Sequence, residues 1–476
     1  MTPRPRLARQ KPAPNPGIVH LGLGAFSRSF VAPAVEDAVI SAGGDWGIIG
    51  ASLRSPDVRD RLAAQEFAYT AVEMAPTEQR GRVINVLSDV IFATGSEDLL
   101  VQRMADPAIR IVSLTVTEKG YCYVPSAGAL DTDHPDILHD IQNPQPRSAI
   151  GFIVRALEMR KRSGLRPFTV LSCDNLPDNG RVTRNVVTGL ARIIDPDLAM
   201  WIESERCFPS TMVDRIVPAT TKENIEVLAD DTNTLDEAPV FHEPFLQWVI
   251  EDNFVGDARP AFERVVGVQM VRDVAPFELM KIRMLNGTHS SLAYLGYLAG
   301  HETISDTVAD PVFERFVRRL WSAEIMPTLE PPEGANLQRY ADDLFERYAN
   351  PAIRHRTWQI AMDGSQKLPQ RILGTIADNV AANQSCDGLI LAVAAWMRYV
   401  GGTDENGHEI DVRDPLAARL RDLSNGARTP AGVVDALLSV REIFGSDTDP
   451  AIRDGIIAAY QRLLAIGARA SVSEIT

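Results

Sequence analysis

Four polar residues in the second half of the chain have the types and spacing to do chemistry: Glu278, Lys281, Asn286 and His289, in FELMKIRMLNGTHS. At about 100° per residue they fall within an arc of about 140° on a helix that is otherwise largely apolar. The opposite face carries Phe277, Ile282, Met284, Leu285 and Leu292. A charged stripe is ordinarily a solvated face, but a helix this apolar is packed, so its polar stripe is expected to face a cleft. A lysine in a cleft loses its proton more readily than a free one, whose pKa is about 10.4. Lys281 is therefore a candidate general base.

A second candidate lies near the start. Gly22-Leu23-Gly24-Ala25-Phe26-Ser27-Arg28 follows a predicted strand, where glycines let the backbone approach a pyrophosphate favoured by the next helix N-terminus. Ser27 stands where the third glycine of a dinucleotide fingerprint belongs, so an ordinary tight turn is an equal reading of the loop alone. After the second strand the chain reads Arg54-Ser55-Pro56-Asp57. Asp57 is the one acid there that could hold a ribose, and Arg54 could accept a 2′-phosphate. Three other chemistries lose weight. No tyrosine has a lysine four positions on, no His-Glu pair completes HExxH, and neither GxSxG nor a phosphate-loop lysine occurs.

These residues need a frame. Gly17–Gly24, Asp45–Leu53, Ile109–Thr117 and Pro167–Asn175 read as strands, and Ser148–Ser163 as an intervening helix. Such alternation predicts a parallel, doubly wound sheet whose ligands sit beyond the carboxyl ends of the strands. That points to Gly22–Arg28, Thr117–Tyr121 and Asp174–Asn175. Later, Pro276 opens a helix running through Lys281 towards Gly300, with Asp273 as cap. Helical patterns follow at Asp310–Ile325, Asn336–Tyr348, Gly388–Tyr399 and Asp449–Ile466. The expected architecture is α/β: a disordered tail over 1–16, a Rossmann-like dinucleotide-binding domain over 17–270, and a mainly α-helical catalytic and substrate domain over 271–476.

Composition bounds the function. The chain has 476 residues, 45% hydrophobic and 23% charged, with 48 Lys and Arg against 63 Asp and Glu, a formal charge of −15. A polyanion is repelled by such a surface, so nucleic acid is not an expected partner. No apolar run reaches the roughly 18–20 residues that cross a bilayer, and Leu389–Met397 reads as a buried helix. The basic start, MTPRPRLARQKPAPNPG, is too rich in proline for an amphipathic transit helix. Cys122, Cys173, Cys207 and Cys386 show no metal or disulfide spacing, which suits a cytoplasmic protein.

The segments IVHLGLGAF, SLTVTEKGYC, SCDNLPDNG, FPSTMVDRIVPATT, EPFLQWVIEDNF, FELMKIRMLNGTHS and IRHRTWQIAMDGSQKLPQR, spanning residues 18 to 371, resemble the polyol-specific long-chain dehydrogenase/reductase (mannitol dehydrogenase) family. TVTEKGYC, MVDRIVPA and RTWQIAMDGSQKLPQR are more similar to its fructuronate reductase (D-mannonate oxidoreductase) branch. The resemblance implies NAD as cofactor, no metal, and metal-free hydride transfer to or from a sugar acid or polyol. It makes Lys281 the base, Asn175 and Asn286 the amides that polarise the reacting oxygen, His289 a substrate-orienting residue, and Glu278 a residue associated with proton movement. Asp214 matches a substrate-side acid and Glu118 a residue near the nicotinamide ribose. Gly22, Gly24, Phe26 and Arg28 belong to the cofactor loop, where Ser27 and Phe30 replace two histidines usual in relatives. The carboxylate of a sugar acid needs a cation, and Lys119, Lys367 and Arg371 are the candidates. A mannitol- or arabinitol-type dehydrogenase is the nearest alternative, and a nucleotide-binding sensor without turnover a remote one. A monomer or small homo-oligomer is expected.

Overall fold

The computed structural model describes residues 4–125, 127–205, 207–446 and 448–476. The chain divides into two compact units, one ending at Ala275 and the other beginning at Pro276. The division falls after residue 270 because Val268–Val271 is still a strand of the first unit.

Five strands of the first unit form a parallel sheet: β1 (Pro16–Leu21), β2 (Gly47–Ser52), β3 (Leu87–Phe92), β4 (Ile111–Leu114) and β5 (Thr169–Ser172). Their order is β3-β2-β1-β4-β5. Side chains alternate across the sheet. Val19, Leu21, Ile49, Val112, Leu114 and Val170 pack beneath three helices, α2 (Glu97–Ala105), α3 (Ala149–Arg162) and α4 (Asn179–Ile194). Ile18, Ile48, Ile111 and Leu171 face the other way, against α1 (Val31–Ala42) and a second sheet. Burial on both faces is why these strands read as continuous apolar runs. The strand order reverses at β1 and β4, whose following loops diverge and leave a crevice there.

The second sheet, β6 (Thr211–Asp214), β7 (Gln247–Glu251) and β8 (Val268–Val271), pairs β6 antiparallel and β8 parallel to β7. A third joins Val240–His242 to Tyr69–Met74 and Gln79–Ile84.

Residues 4–16 correct the expected disordered tail. Proline forbids a helix there but leaves extended backbone able to pair. The Leu7 N–H donates to the Leu235 carbonyl at 2.8 Å, and the Leu235 N–H to that of Pro5 at 2.9 Å. Leu7 is buried. The Arg9 guanidinium spreads over the carbonyls of Glu66, Asn85 and Leu87.

The second unit is helical. Ala275–Met280, Lys281–Gly287 and Thr288–Leu298 run on as one rod, α5, whose middle segment is π-helical. Asp273 Oδ1 accepts the Ala275 N–H at 3.0 Å, so the helix starts one residue before the proline. Next come α6 (Pro311–Arg319, π-helical over Leu320–Ile325), α7 (Leu337–Ala349), α8 (Gly364–Leu368, π-helical over Pro369–Leu373, then Gly374–Ala381), α9 (Asp387–Val400) and α10 (Pro450–Ile475). Asp310 and Asn336 cap α6 and α7 through their side chains. The apolar run at Leu389–Met397 lies inside α9 and is buried. Among the described residues, no helix is long and apolar enough to cross a membrane.

Arg9→Ala is expected to lower the unfolding free energy by about 1–3 kcal/mol, the scale for charge-assisted hydrogen bonds. Urea denaturation of the variant beside the parent checks this, and equal midpoints would mean that the segment adds no stability.

Candidate active site

The crevice at the β1/β4 reversal is a cleft of about 380 Å³, lined among others by Gly22, Gly24, Arg54, Ser55, Thr117 and Lys119. Gly22 has φ +88°, and a Cβ there would sit 2.2 Å from the Thr115 carbonyl oxygen. Only glycine fits. Thr115 Oγ1 donates to the Gly22 carbonyl at 2.8 Å and also meets His20 Nε2 at 2.9 Å, which ties the glycine loop to the end of β4. Arg147 and Ser148 complete the far wall. A glycine-floored, cation-lined cleft at the sheet's reversal point fits a dinucleotide.

Four of the expected cofactor residues do not line this cleft. Arg28, 7% exposed, turns into the domain. Its Nε donates to the Gly24 carbonyl at 3.2 Å and its Nη1 to that of Ala238 at 2.5 Å, with the guanidinium over the Tyr69 ring. Phe26 stacks on Phe30, ring centroids 4.9 Å apart, and packs on the core. Asp57 opens the helix Asp57–Ala63, where an acid favours the helix dipole. Glu118 accepts from the Tyr123 hydroxyl at 3.1 Å. Ser27 and Phe30 also point inward, Ser27 Oγ donating to the Gly24 carbonyl at 3.2 Å. The departure from the usual loop is therefore taken up in packing. Lys119, expected at a substrate carboxylate, instead lines the dinucleotide cleft.

Sequence reasoning placed Asp174 at the working end of the sheet but missed that it organises these loops. Asp174 accepts the Val116 N–H on Oδ2 at 2.9 Å and the Thr117 N–H on Oδ1 at 3.0 Å. Its Oδ2 also takes the Tyr121 hydroxyl at 2.8 Å. Burial pushes the carboxyl up from its ordinary range, against the pull of these donors. The tether holds Thr117 at φ +63°, a conformation a threonine avoids in isolation. Asn175 follows, exposed at the β5 end. Asn179 then donates to the carbonyls of Asp174 at 3.1 Å and Thr211 at 2.8 Å, linking this loop to β6, which ends in buried Asp214. The signal was an acid directly after a β-branched strand.

In the helical unit the polar stripe is not solvated. Lys281 is 5% and His289 8% exposed, while Glu278 and Asn286 are half-buried. The π turn over Lys281–Gly287 changes the angular spacing assumed for an α-helix. It also frees backbone carbonyls that must find donors. Trp321 Nε1 donates to the Met284 carbonyl at 3.0 Å and the Tyr348 hydroxyl to that of Leu285 at 2.8 Å. Arg283 is held by Asp378 and Thr328. Gly287 lets the two π segments touch, since a Cβ there would lie 2.5 Å from the Arg371 carbonyl oxygen.

Around His289 the charges are positive. Its ring lies 4.7 Å from His355, edge to face, and 5.2 Å from Tyr348. Burial, then His355, Arg371, Arg347 and Lys367 hold it neutral, well below the usual histidine range. Arg371 Nη1 donates to Ser290 Oγ at 3.1 Å, and Lys367 Nζ to the Met362 carbonyl at 2.5 Å. Burial and Arg371 lower the Lys367 ammonium to about 8, against Asp363 and Asp414. Lys367 and Arg371 thus share the neighbourhood of His289.

Comparison with known proteins agrees with both halves. Residues 16–264 match the family described as mannitol dehydrogenase Rossmann domain, and 273–464 the mannitol dehydrogenase C-terminal domain. An uncharacterized oxidoreductase, YeiQ, of Escherichia coli (strain K12) is 48% identical over 95% of this chain and 93% of its own. D-mannonate oxidoreductase of the same organism is 47% identical over 96% and 95%. A solved structure of Pseudomonas fluorescens mannitol 2-dehydrogenase, in ternary complex with NAD and D-mannitol, superposes with a TM-score of 0.85 at 38% identity, covering 100% of this chain and 97% of that one.

Gly287→Ala should force the two π segments apart and lower stability by about 1–3 kcal/mol, the usual cost of overpacking. Denaturant titration measures it. An unchanged midpoint would show that the segments separate without cost.

Proposed function

The chain is an oxidoreductase of the mannitol dehydrogenase family, and from that premise we propose that it interconverts D-mannonate and D-fructuronate with NAD. Support for NAD comes from the glycine-floored cleft and from the likeness to the Pseudomonas fluorescens enzyme, whose ternary complex holds NAD. Gly22, Gly24, Arg54 and Lys119 would hold it, and when bound it supplies the hydride acceptor.

In the oxidation direction neutral Lys281 takes the proton of the substrate hydroxyl. Lys281 is buried in the helical unit, and a base must be uncharged to accept a proton. Asn286 donates a hydrogen bond to the oxygen as alkoxide character grows, a role that the family resemblance also gives Asn175. Fixed donors of this kind stabilise charge without reorganising. Neutral His289 orients a substrate hydroxyl and Glu278 passes on the proton taken by Lys281, while the family resemblance makes Asp214 a substrate-side acid.

The observation that carries the choice of an acid is the pair Lys367 and Arg371 near His289, where Arg371 acts to lower the Lys367 ammonium. Cations packed together raise each other's energy, and a bound carboxylate relieves that repulsion. The likeness to D-mannonate oxidoreductase agrees. A neutral polyol is the second reading, favoured by the likeness to mannitol 2-dehydrogenase.

Initial rates with D-mannonate and D-mannitol, each with NAD and NADP, test the reading. It expects kcat/KM at least tenfold higher for mannonate, and a preference for mannitol would replace it. Lys281→Ala should lower kcat by roughly 10²–10⁴-fold, the scale for losing a general base. Near-normal turnover at neutral pH would remove Lys281 from that role.

The acid also predicts a pH dependence. Lys367 is charged below about 8 and loses its proton above. The KM for mannonate should therefore rise as pH passes through 8, while that for mannitol stays level. KM profiles between pH 6.5 and 9.5 check this, and parallel curves would exclude Lys367 as the carboxylate's partner.

A further inference from the structure

The His355 ring lies half-buried beside the substrate-orienting histidine, yet its own hydrogen bonding is incomplete. Among the described residues its Nδ1, shielded from solvent, has no hydrogen-bond partner, and the same holds for Nε2 of His289, 4.7 Å away between ring centroids. A buried polar atom left unpaired is costly, and native structures seldom keep one without a reason. Here two lie on adjoining rings.

The ring nitrogens are not needed to hold the segment in place. The backbone does that: the Ile304 N–H donates to the His355 carbonyl at 3.0 Å, the His355 N–H to that of Ile353 at 2.7 Å, and Thr303 bridges to Arg356. Packing against His289 would be served as well by phenylalanine. What distinguishes histidine is a hydrogen-bonding atom, placed where Lys367 is close enough to act on the ring.

We propose that His355 is a further substrate-contacting residue, pairing through its imidazole with the carboxylate end of a sugar acid beside Lys367. The proposal rests on the acid reading given above. Burial and Lys367 lower the ring to about 4, so it stays neutral around pH 7 and contributes one donor and one acceptor rather than charge. Lys367 supplies the charge and His355 the direction. A neutral polyol has a hydroxymethyl group at that end, which profits less from an added donor.

The test uses the full-length protein and three readouts. His355→Phe keeps the ring's shape and removes its nitrogens. It should raise KM for mannonate at least tenfold, leave kcat within about threefold, and leave KM for mannitol and the dissociation constant of NADH unchanged. His355→Asn places an amide near the Nδ1 position and should recover the mannonate KM to within about threefold. Equal changes for mannonate and mannitol, or no recovery with asparagine, would overturn the assignment. The wild-type ring gives a measurement independent of any variant's folding. Saturating mannonate, with NADH present, should shift the His355 imidazole nitrogen resonance, and an unmoved resonance also overturns it. A wild type that prefers mannitol sinks the acid reading and the proposal together. A wild type that prefers mannonate, with His355→Phe acting alike on both substrates, sinks the proposal alone.

Discussion

One carboxylate holds the working edge of the nucleotide unit together. Asp174 receives two successive backbone N–H groups from the loop after β4, one on each oxygen, and a tyrosine hydroxyl besides. Parallel strands end without a hairpin to join them, so their loops are free to diverge unless something bridges them. Divergence opens the cleft, and the bridge keeps it from opening too far. Thr117 shows that the bridge is under load, because a threonine keeps positive φ only where its surroundings insist. Asn175 lies one residue beyond, and Asn179 passes the constraint on to β6. The loop that carries Lys119 is tied by that one acid.

The helical unit solves a related problem by other means. A general base on a helix must be desolvated without being neutralised by a neighbour, and burial of Lys281 inside α5 achieves the first part. The π turn that carries it exposes carbonyls, and Trp321 and Tyr348 cap them from α6 and α7. Those caps fix the rod's rotation, while Gly287 fixes its distance from α8. Rigid elements rather than loops therefore set the positions of Lys281 and His289, as precise chemistry requires.

The parallel sheet was legible because it is buried on both faces, so β1, β2, β4 and β5 each showed as an apolar run. The second and third sheets were not: β6 and Val240–His242 are too short for any period to emerge, and their pairing joins residues far apart in the chain. The catalytic helix was visible from the apolar side, but an α-helical period could not anticipate a π segment, which depends on donors from other helices. Cofactor residues were read from the motif, and the motif does not say which way a side chain turns. Arg28 and Asp57 carried suitable charge and spent it on the Ala238 carbonyl and a helix start. The tail misled for the opposite reason. Proline content excludes a helix, but it says nothing of a strand-like segment clipped to Leu235 and held by Arg9.

A π turn holds one residue more than the α-helical stretch it interrupts. Among the described residues, three helices of the second unit contain such a segment, and two of these meet at Gly287 and Arg371. Each has the form of a single-residue insertion accommodated inside a helix instead of at its ends. Deleting one residue between Lys281 and Gly287 would heal the α-helix and leave the residues beyond it, His289 among them, on the same face. The Trp321 indole and the Tyr348 phenol would then face carbonyls already paired within the helix. The reading frame of the helix, no less than the identity of its residues, is what the active site inherits.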